Sequence, residues 1–120
     1  QWRERLSPQA YDVLRNEATE RPFTSPLNGE KRSGTYHCAG CDAALFSSEA
    51  KFDSGTGWPS FWQPLDGAIA TKVDFKLILP RTEYHCSRCG GHQGHVFNDG
   101  PRPTGKRYCN NGVALRFQPA

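Results

Sequence analysis

Thr82-Glu83-Tyr84-His85-Cys86-Ser87-Arg88-Cys89-Gly90-Gly91-His92-Gln93-Gly94-His95-Val96-Phe97 places two extended runs, Thr82 to Cys86 and Gly94 to Phe97, around a Cys-x-x-Cys turn. Two intervening residues let both sulfurs of a tight turn face one cation, and Gly90 and Gly91 give the backbone the freedom such a knuckle needs. Cys38-Ala39-Gly40-Cys41 repeats the pattern upstream, with Gly40 inside the turn. Two such knuckles, widely separated, fit a tetrahedral zinc site made by Cys38, Cys41, Cys86 and Cys89, with one zinc per chain. Two redox pairs or two disulfides would use the same residues, although a thioredoxin-like pair needs a strand-helix setting that the sequence lacks. A closed four-thiolate site offers no open position, so its metal is expected to hold structure rather than do chemistry. His37 and His85 adjoin the knuckles and read as surface or supporting residues, because simultaneous binding beside a ligating neighbour is awkward.

The chain has 120 residues, which suits a single domain spanning 1–120. Only 36% of residues are hydrophobic, so a metal staple would assist a modest core. The 12 glycines and 9 prolines indicate many turns and short elements. Net charge is +3, with basic residues scattered in short pairs such as Lys31-Arg32 and Lys106-Arg107. No basic stripe of the kind phosphate binding favours is present, and no apolar run suits a bilayer. Neither a nucleic acid nor a membrane is therefore expected as a partner. No secretory signal is read at the N-terminus, and four zinc thiolates imply a reducing compartment, most simply the cytoplasm.

Ser7 to Glu20 reads as a helix, with Ser7 as N-cap, Pro8 in the first turn, and Tyr11, Leu14 and Ala18 at helical spacing. Arg21 to Gly34 is a Pro- and Gly-punctuated loop. Extended runs follow over Gly34 to His37, Ala43 to Ser47, Gly67 to Leu79, Thr82 to Cys86, Gly94 to Phe97 and Arg107 to Phe117. Strand-helix-strand alternation is missing, which points to a mainly β, antiparallel domain with a helical N-terminal segment.

Three segments carry candidate chemistry. Ser54-Gly55-Thr56-Gly57-Trp58-Pro59-Ser60-Phe61-Trp62 presents Trp58 on a glycine- and proline-defined backbone, which alone would suit an aromatic corner of the core. His92 and His95 follow the second knuckle and alone would read as extra metal ligands or exposed polar residues. Arg107-Tyr108-Cys109-Asn110-Asn111 holds the fifth cysteine, left over once four are assigned to zinc. Strand alternation puts Arg107, Cys109 and Asn111 on one face and Tyr108 and Asn110 on the other. A thiol beside a guanidinium on a polar face is expected to have a lowered pKa and to act as a nucleophile.

Gly55-Thr56-Gly57-Trp58-Pro59-Ser60-Phe61, Gly91-His92-Gln93-Gly94-His95-Val96-Phe97 and Arg107-Tyr108-Cys109-Asn110-Asn111 resemble, in order, the signature segments of methionine sulfoxide reductase B. The cysteine knuckles look like those of its zinc-bearing members. Thr19-Glu20-Arg21-Pro22-Phe23 and Arg81-Thr82-Glu83 also look like family positions. The resemblance runs from about Leu6 to Phe117. It implies a small twisted β barrel that reduces the R epimer of methionine sulfoxide in oxidised peptides and proteins. It further implies Cys109 as the nucleophile that becomes a sulfenic acid, with Trp58 holding the substrate methyl. His92, His95 and Asn111 would bind or protonate the oxygen side, and Phe97 would wall the pocket.

The sequence departs from a common family pattern at Thr56, where many members carry a resolving cysteine, and at Gly112, where many have Ser. Five cysteines less four zinc ligands leave Cys109 without a partner thiol. Recycling is therefore expected to use an external thiol such as thioredoxin or glutathione, with the chain acting as a monomer. Two rival classes stand beside this reading. A non-catalytic zinc-ribbon module that binds protein or RNA would leave Cys109, Trp58 and the histidines without a role, and a thiol peroxidase would consume peroxide without reducing sulfoxide.

Overall fold

The computed structural model describes residues 6–74 and 81–120. Helix α1 spans Pro8–Asn16, and the Ser7 hydroxyl accepts from the Ala10 amide at 3.1 Å as its cap. The helix stops short of the expected Glu20 because Glu17 adopts a left-handed conformation (φ 58°) and the Ala18 amide turns back to the Asp12 carbonyl. Its inner face buries Ala10, Val13 and Leu14. Burying a side chain the size of Leu14 contributes about 2 kcal/mol. The residues after the helix are thereby released to reach the candidate site, which Thr19 lines.

Among the described residues nine strands follow: β1 Gly34–Cys38, β2 Ala44–Ser47, β3 Lys51–Phe52, β4 Ser60–Phe61, β5 Ile69–Asp74, β6 Arg81–Cys86, β7 His92–Phe97, β8 Arg107–Asn110 and β9 Leu115–Pro119. The expected run Gly67 to Leu79 is seen as β5, and its later residues lie outside the described ones. One expected strand, Arg107 to Phe117, is two. Asn111 caps a short 3₁₀ turn over Gly112–Ala114, and the chain leaves one sheet as β8 and enters the other as β9.

The mainly β, antiparallel architecture with an N-terminal helix is as expected, but the barrel is not closed. β2-β1-β9 form one sheet and β3-β4-β8-β7-β6-β5 the other, with antiparallel pairing throughout. Among the described residues the outer strands β3 and β5 do not pair. β3 and β4 have two residues each, too few to carry a ladder round to β5.

The core lies between the sheets. Phe46 of β2 stacks on Phe61 of β4 with centroids 4.1 Å apart, and Tyr36 of β1 meets Phe61 edge-on at 5.0 Å. Tyr84 and Tyr108 close the layer at 5.5 Å. The buried Tyr84 hydroxyl donates to Asn110 Oδ1 at 2.8 Å, which satisfies a group that would otherwise be costly to bury. Because Phe46 joins the two sheets, Phe46→Ala should cost about 3–5 kcal/mol in denaturant unfolding of the zinc-loaded protein. A loss below about 1 kcal/mol would show that this ring does not join them.

Candidate active site and metal centre

The Cys38 and Cys41 knuckle hangs from the smaller sheet and the Cys86 and Cys89 knuckle from the larger one. All four sulfurs lie within 4.8 Å of one another. Cys38 and Cys89 sulfurs are 3.7 Å apart, and those of Cys41 and Cys86 are 3.5 Å apart. A tetrahedron with zinc–sulfur bonds of about 2.3 Å has edges of about 3.8 Å, so the spacing fits zinc. The surroundings fit thiolates too. Gly40 N–H and Gln93 Nε2 donate to Cys38, and Gly91 N–H and an Arg15 guanidinium nitrogen donate to Cys89. With sulfur alone, these thiols compete for charge. The hydrogen bond from Cys38 holds Cys86 below the ordinary thiol range, and the same bond pushes Cys38 up. A dication removes that conflict and lets all four ionise. Neither His37 nor His85 joins the cluster.

Gln93 carries the metal centre's geometry onward. Its side-chain oxygen accepts from Asn110 Nδ2 at 3.0 Å, and its carbonyl accepts from Asn111 Nδ2 at 2.9 Å. Asn111 Oδ1 accepts from the Glu20 amide at 2.9 Å, and the Glu20 carbonyl accepts from Trp58 Nε1 at 3.0 Å. The Glu20 carboxylate, itself buried, accepts from the Gly112 and Val113 amides at 2.8 and 2.9 Å. One hydrogen-bonded path therefore runs from a zinc ligand to the Trp58 indole. Sequence reading assigns Glu20 no site role because nothing in its local sequence signals a buried carboxylate.

Sheet register assembles the rest. Ser60 lies directly opposite Cys109, Cys109 opposite His95, His95 opposite Glu83, and Glu83 opposite Lys72. Directly paired residues of an antiparallel sheet point to the same side. The sheet thus carries a polar row on one face and Phe61, Tyr108 and Tyr84 on the core face. Strands β7 and β8 approach closely at Gly94, on the opposite face, where a Cβ would collide with the Cys109 carbonyl oxygen.

Cys109 opens into a cavity of about 230 Å³, whose walls include Trp58, His95, Phe97, Arg107 and Asn111. Trp58 reaches it because Gly57, at φ 94°, lies against Pro22 and Phe23 where a Cβ would come within 2.7 Å. Five expected site residues, Cys109, His95, Asn111, Trp58 and Phe97, are therefore brought together. His92 is not. It is buried behind His95, with ring centroids 5.5 Å apart, and its Nδ1 meets Glu83 Oε2 at 3.0 Å. Asn111 does not sit on strand β8 as alternation implied, and both ends of its amide are engaged as described above. Thr19 and Arg81 join the walls without having been assigned a role from sequence. A larger cavity of about 430 Å³ elsewhere contains neither this thiol nor a histidine.

The expected lowering of the Cys109 pKa is reversed. Burial pushes the thiol up, and hydrogen bonds from Thr56 and Arg107, with the Arg107 charge, only partly offset this. Arg107 is also committed to Asp99 through contacts of 2.9 and 3.1 Å, and its guanidinium lies 4.4 Å from the centre of the Phe97 ring. Its charge is thus shared before it reaches the sulfur.

A family model described as the SelR domain matches residues 6–119. A peptide methionine sulfoxide reductase MsrB of Leptospira interrogans is 53% identical, over 98% of this chain and 90% of that protein. An MsrB of Pseudomonas putida is 54% identical, over 99% and 90%. The chain belongs to the methionine sulfoxide reductase B family. The chloroplastic B1 reductase of Arabidopsis thaliana is 51% identical over 98% of this chain and 58% of that protein. Among solved structures, the Mis18 'Yippee-like' domain superposes with a TM-score of 0.56, covering 74% of this chain and 98% of that one. At 16% identity this likeness concerns the fold alone.

Two outcomes follow for this reductase-family site. Cys86→Ser should release zinc and destabilise the protein, read by metal analysis and thermal unfolding. Stoichiometric zinc at unchanged stability would contradict a four-thiolate site. Alkylation of Cys109 should climb with pH through and beyond the ordinary thiol value of 9.0, because a raised pKa leaves little thiolate at neutrality. A rate already on its plateau at about pH 7 would contradict the dominance of burial.

Proposed function

We propose that this chain, as a single domain over residues 1–120 and as a monomer, reduces the R epimer of methionine sulfoxide in oxidised proteins and peptides, with Cys109 as nucleophile. The observation that carries the reading is the direct pairing of His95 with Cys109 inside a cavity walled by Trp58. The Cys109 sulfur attacks the sulfoxide sulfur while its proton, carried by His95, reaches the sulfoxide oxygen. The oxygen passes to Cys109 as a sulfenic acid and the thioether leaves. Cysteine sulfur is oxidised by two electrons, methionine sulfur is reduced by two, and the thiol proton completes the balance. A thiol kept protonated by burial suits this step, since it brings the proton the oxygen requires. Trp58 and Phe97 receive the apolar methyl, and the polar row faces the oxygen, which distinguishes the epimers. His92, gripped by Glu83, orients His95, and Asn111 holds the wall beside it. Zinc contributes no step and fixes the knuckle from which β7 starts.

Recycling uses an external thiol. It attacks the Cys109 sulfenic sulfur, water leaves, and a mixed disulfide forms that the donor's second thiol resolves. Thioredoxin, or a small thiol such as glutathione, supplies those electrons. Supporting this, none of the five cysteines is in a disulfide, and Thr56 stands where a resolving sulfur would be. No helix among the described residues is long and apolar enough to cross a membrane. We place the reaction in a reducing compartment, most simply the cytoplasm.

Cys109→Ser should abolish turnover of the R epimer with dithiothreitol, and His95→Ala should slow it about a hundredfold. A Cys109→Ser protein with parental turnover would overturn the assignment. After one equivalent of substrate without reductant, mass spectrometry should find about 16 Da added to Cys109. A loss of about 2 Da linking Cys109 to a knuckle cysteine, with zinc released, would instead make a metal ligand the resolving residue.

A further inference from the structure

One hydroxyl in the cavity of the nucleophile has no part in the reaction above. Thr56 lines the same cavity as Cys109 and favours the ionised form of its sulfur. Its Oγ1 lies 2.7 Å from Ser54 Oγ, which lies 2.7 Å from Ser60 Oγ. Ser60 is fully buried, faces Cys109 across the β4–β8 ladder, and can donate to the Trp58 carbonyl at 3.1 Å. Three hydroxyls thus bridge the nucleophile and the backbone of the Trp58 segment.

Each hydroxyl has one proton, so the chain can point only one way at a time. Beside a neutral thiol, Ser60 donates to Trp58, Ser54 to Ser60, and Thr56 to Ser54. Beside a thiolate all three rotate, so that Ser60 donates to Ser54, Ser54 to Thr56, and Thr56 to sulfur. No proton changes oxygen; only the O–H directions reverse. A chain aligned this way polarises its terminal donor more than a lone hydroxyl would, because each bond strengthens the next in a buried setting.

We propose that Thr56 is a catalytic residue of this one-cysteine enzyme, whose hydroxyl, backed by Ser54 and Ser60, turns onto the Cys109 sulfur as it ionises and holds it aimed at the substrate. The position that carries a resolving sulfur in many relatives of this sequence pattern here serves the attack itself. Burial alone opposes the thiolate, and this chain and Arg107 act against it. The assignment rests on Cys109 being the nucleophile, so its test includes a readout independent of sulfoxide turnover.

That readout is site-resolved iodoacetamide alkylation of Cys109 in the zinc-loaded full chain, followed from about pH 7 to about pH 11.5. Thr56→Val should move the midpoint up by about one pH unit and slow alkylation at neutral pH about tenfold. Thr56→Ser should restore the rate to within about twofold, and Ser54→Ala should shift the midpoint in the same direction as Thr56→Val. Turnover of the R epimer by Thr56→Val should fall through kcat with KM little changed. A Thr56→Val protein of parental zinc content that keeps the parental midpoint overturns the proposal, as does a Thr56→Ser protein as impaired as Thr56→Val. If the midpoint shifts while the parent chain reduces no sulfoxide, the donor role of Thr56 stands and the proposed activity falls.

Discussion

Everything in this molecule hangs on two hairpins, one from each sheet, meeting sulfur to sulfur. At the Cys38–Cys89 and Cys41–Cys86 contacts the two knuckles are spaced to be held by a cation rather than by a side chain. Structural zinc in small peptides binds with an apparent 10–16 kcal/mol, about as large as the whole net stability of an ordinary domain, roughly 5–15 kcal/mol. With a modest aromatic core between open sheets, removing the metal is therefore comparable to removing the fold. Gln93 extends this dependence to the chemistry, since one side chain touches a zinc ligand at one nitrogen and Asn110 at its oxygen.

Burial and activation pull Cys109 in opposite directions. The cavity must exclude water if His95 and the hydroxyls are to act at full strength, and that exclusion disfavours a charged sulfur. The balance leaves a thiol at rest, which reacts slowly with stray peroxide because the thiolate is the reactive form. A sulfoxide that fills the cavity brings a basic oxygen to take the proton, so the substrate helps to complete the activation. Arg107 illustrates the same economy of charge: while paired with Asp99 it still favours the ionised sulfur, first by its charge and then by a hydrogen bond.

The readable parts of the sequence were those where spacing alone sets geometry. Two residues between cysteines bring sulfurs together, and strand alternation put Arg107 and Cys109 on the pocket side and Tyr108 on the core side. Reading failed where partners come from distant segments. Asn111 leaves the β8 pattern because Glu20, far upstream, caps the Gly112–Ala114 turn with both carboxylate oxygens. His92 and His95 sit three apart, and only the folded chain shows that His95 lines the cavity while His92 lies against Glu83 outside it. The barrel did not close because β3 and β4 are too short, a matter of ladder length that hydrophobic patterning does not encode. The thiol's upward shift likewise depends on how much of the chain covers it.

The polar row across the larger sheet also limits how a chain of this design can change. Ser60, Cys109, His95 and Glu83 share a face only while three neighbouring ladders keep their register. Inserting or deleting one residue within β7 or β8 would turn the thiol or the imidazole into the aromatic layer, since sheet faces alternate at every residue. The connection between those strands, residues 98–106, is under no such constraint and its tip is exposed. Length variation among sequences of this architecture should accordingly gather in that connection and be purged from the strands, making the hairpin both the least editable and, at its tip, the most editable part of the molecule.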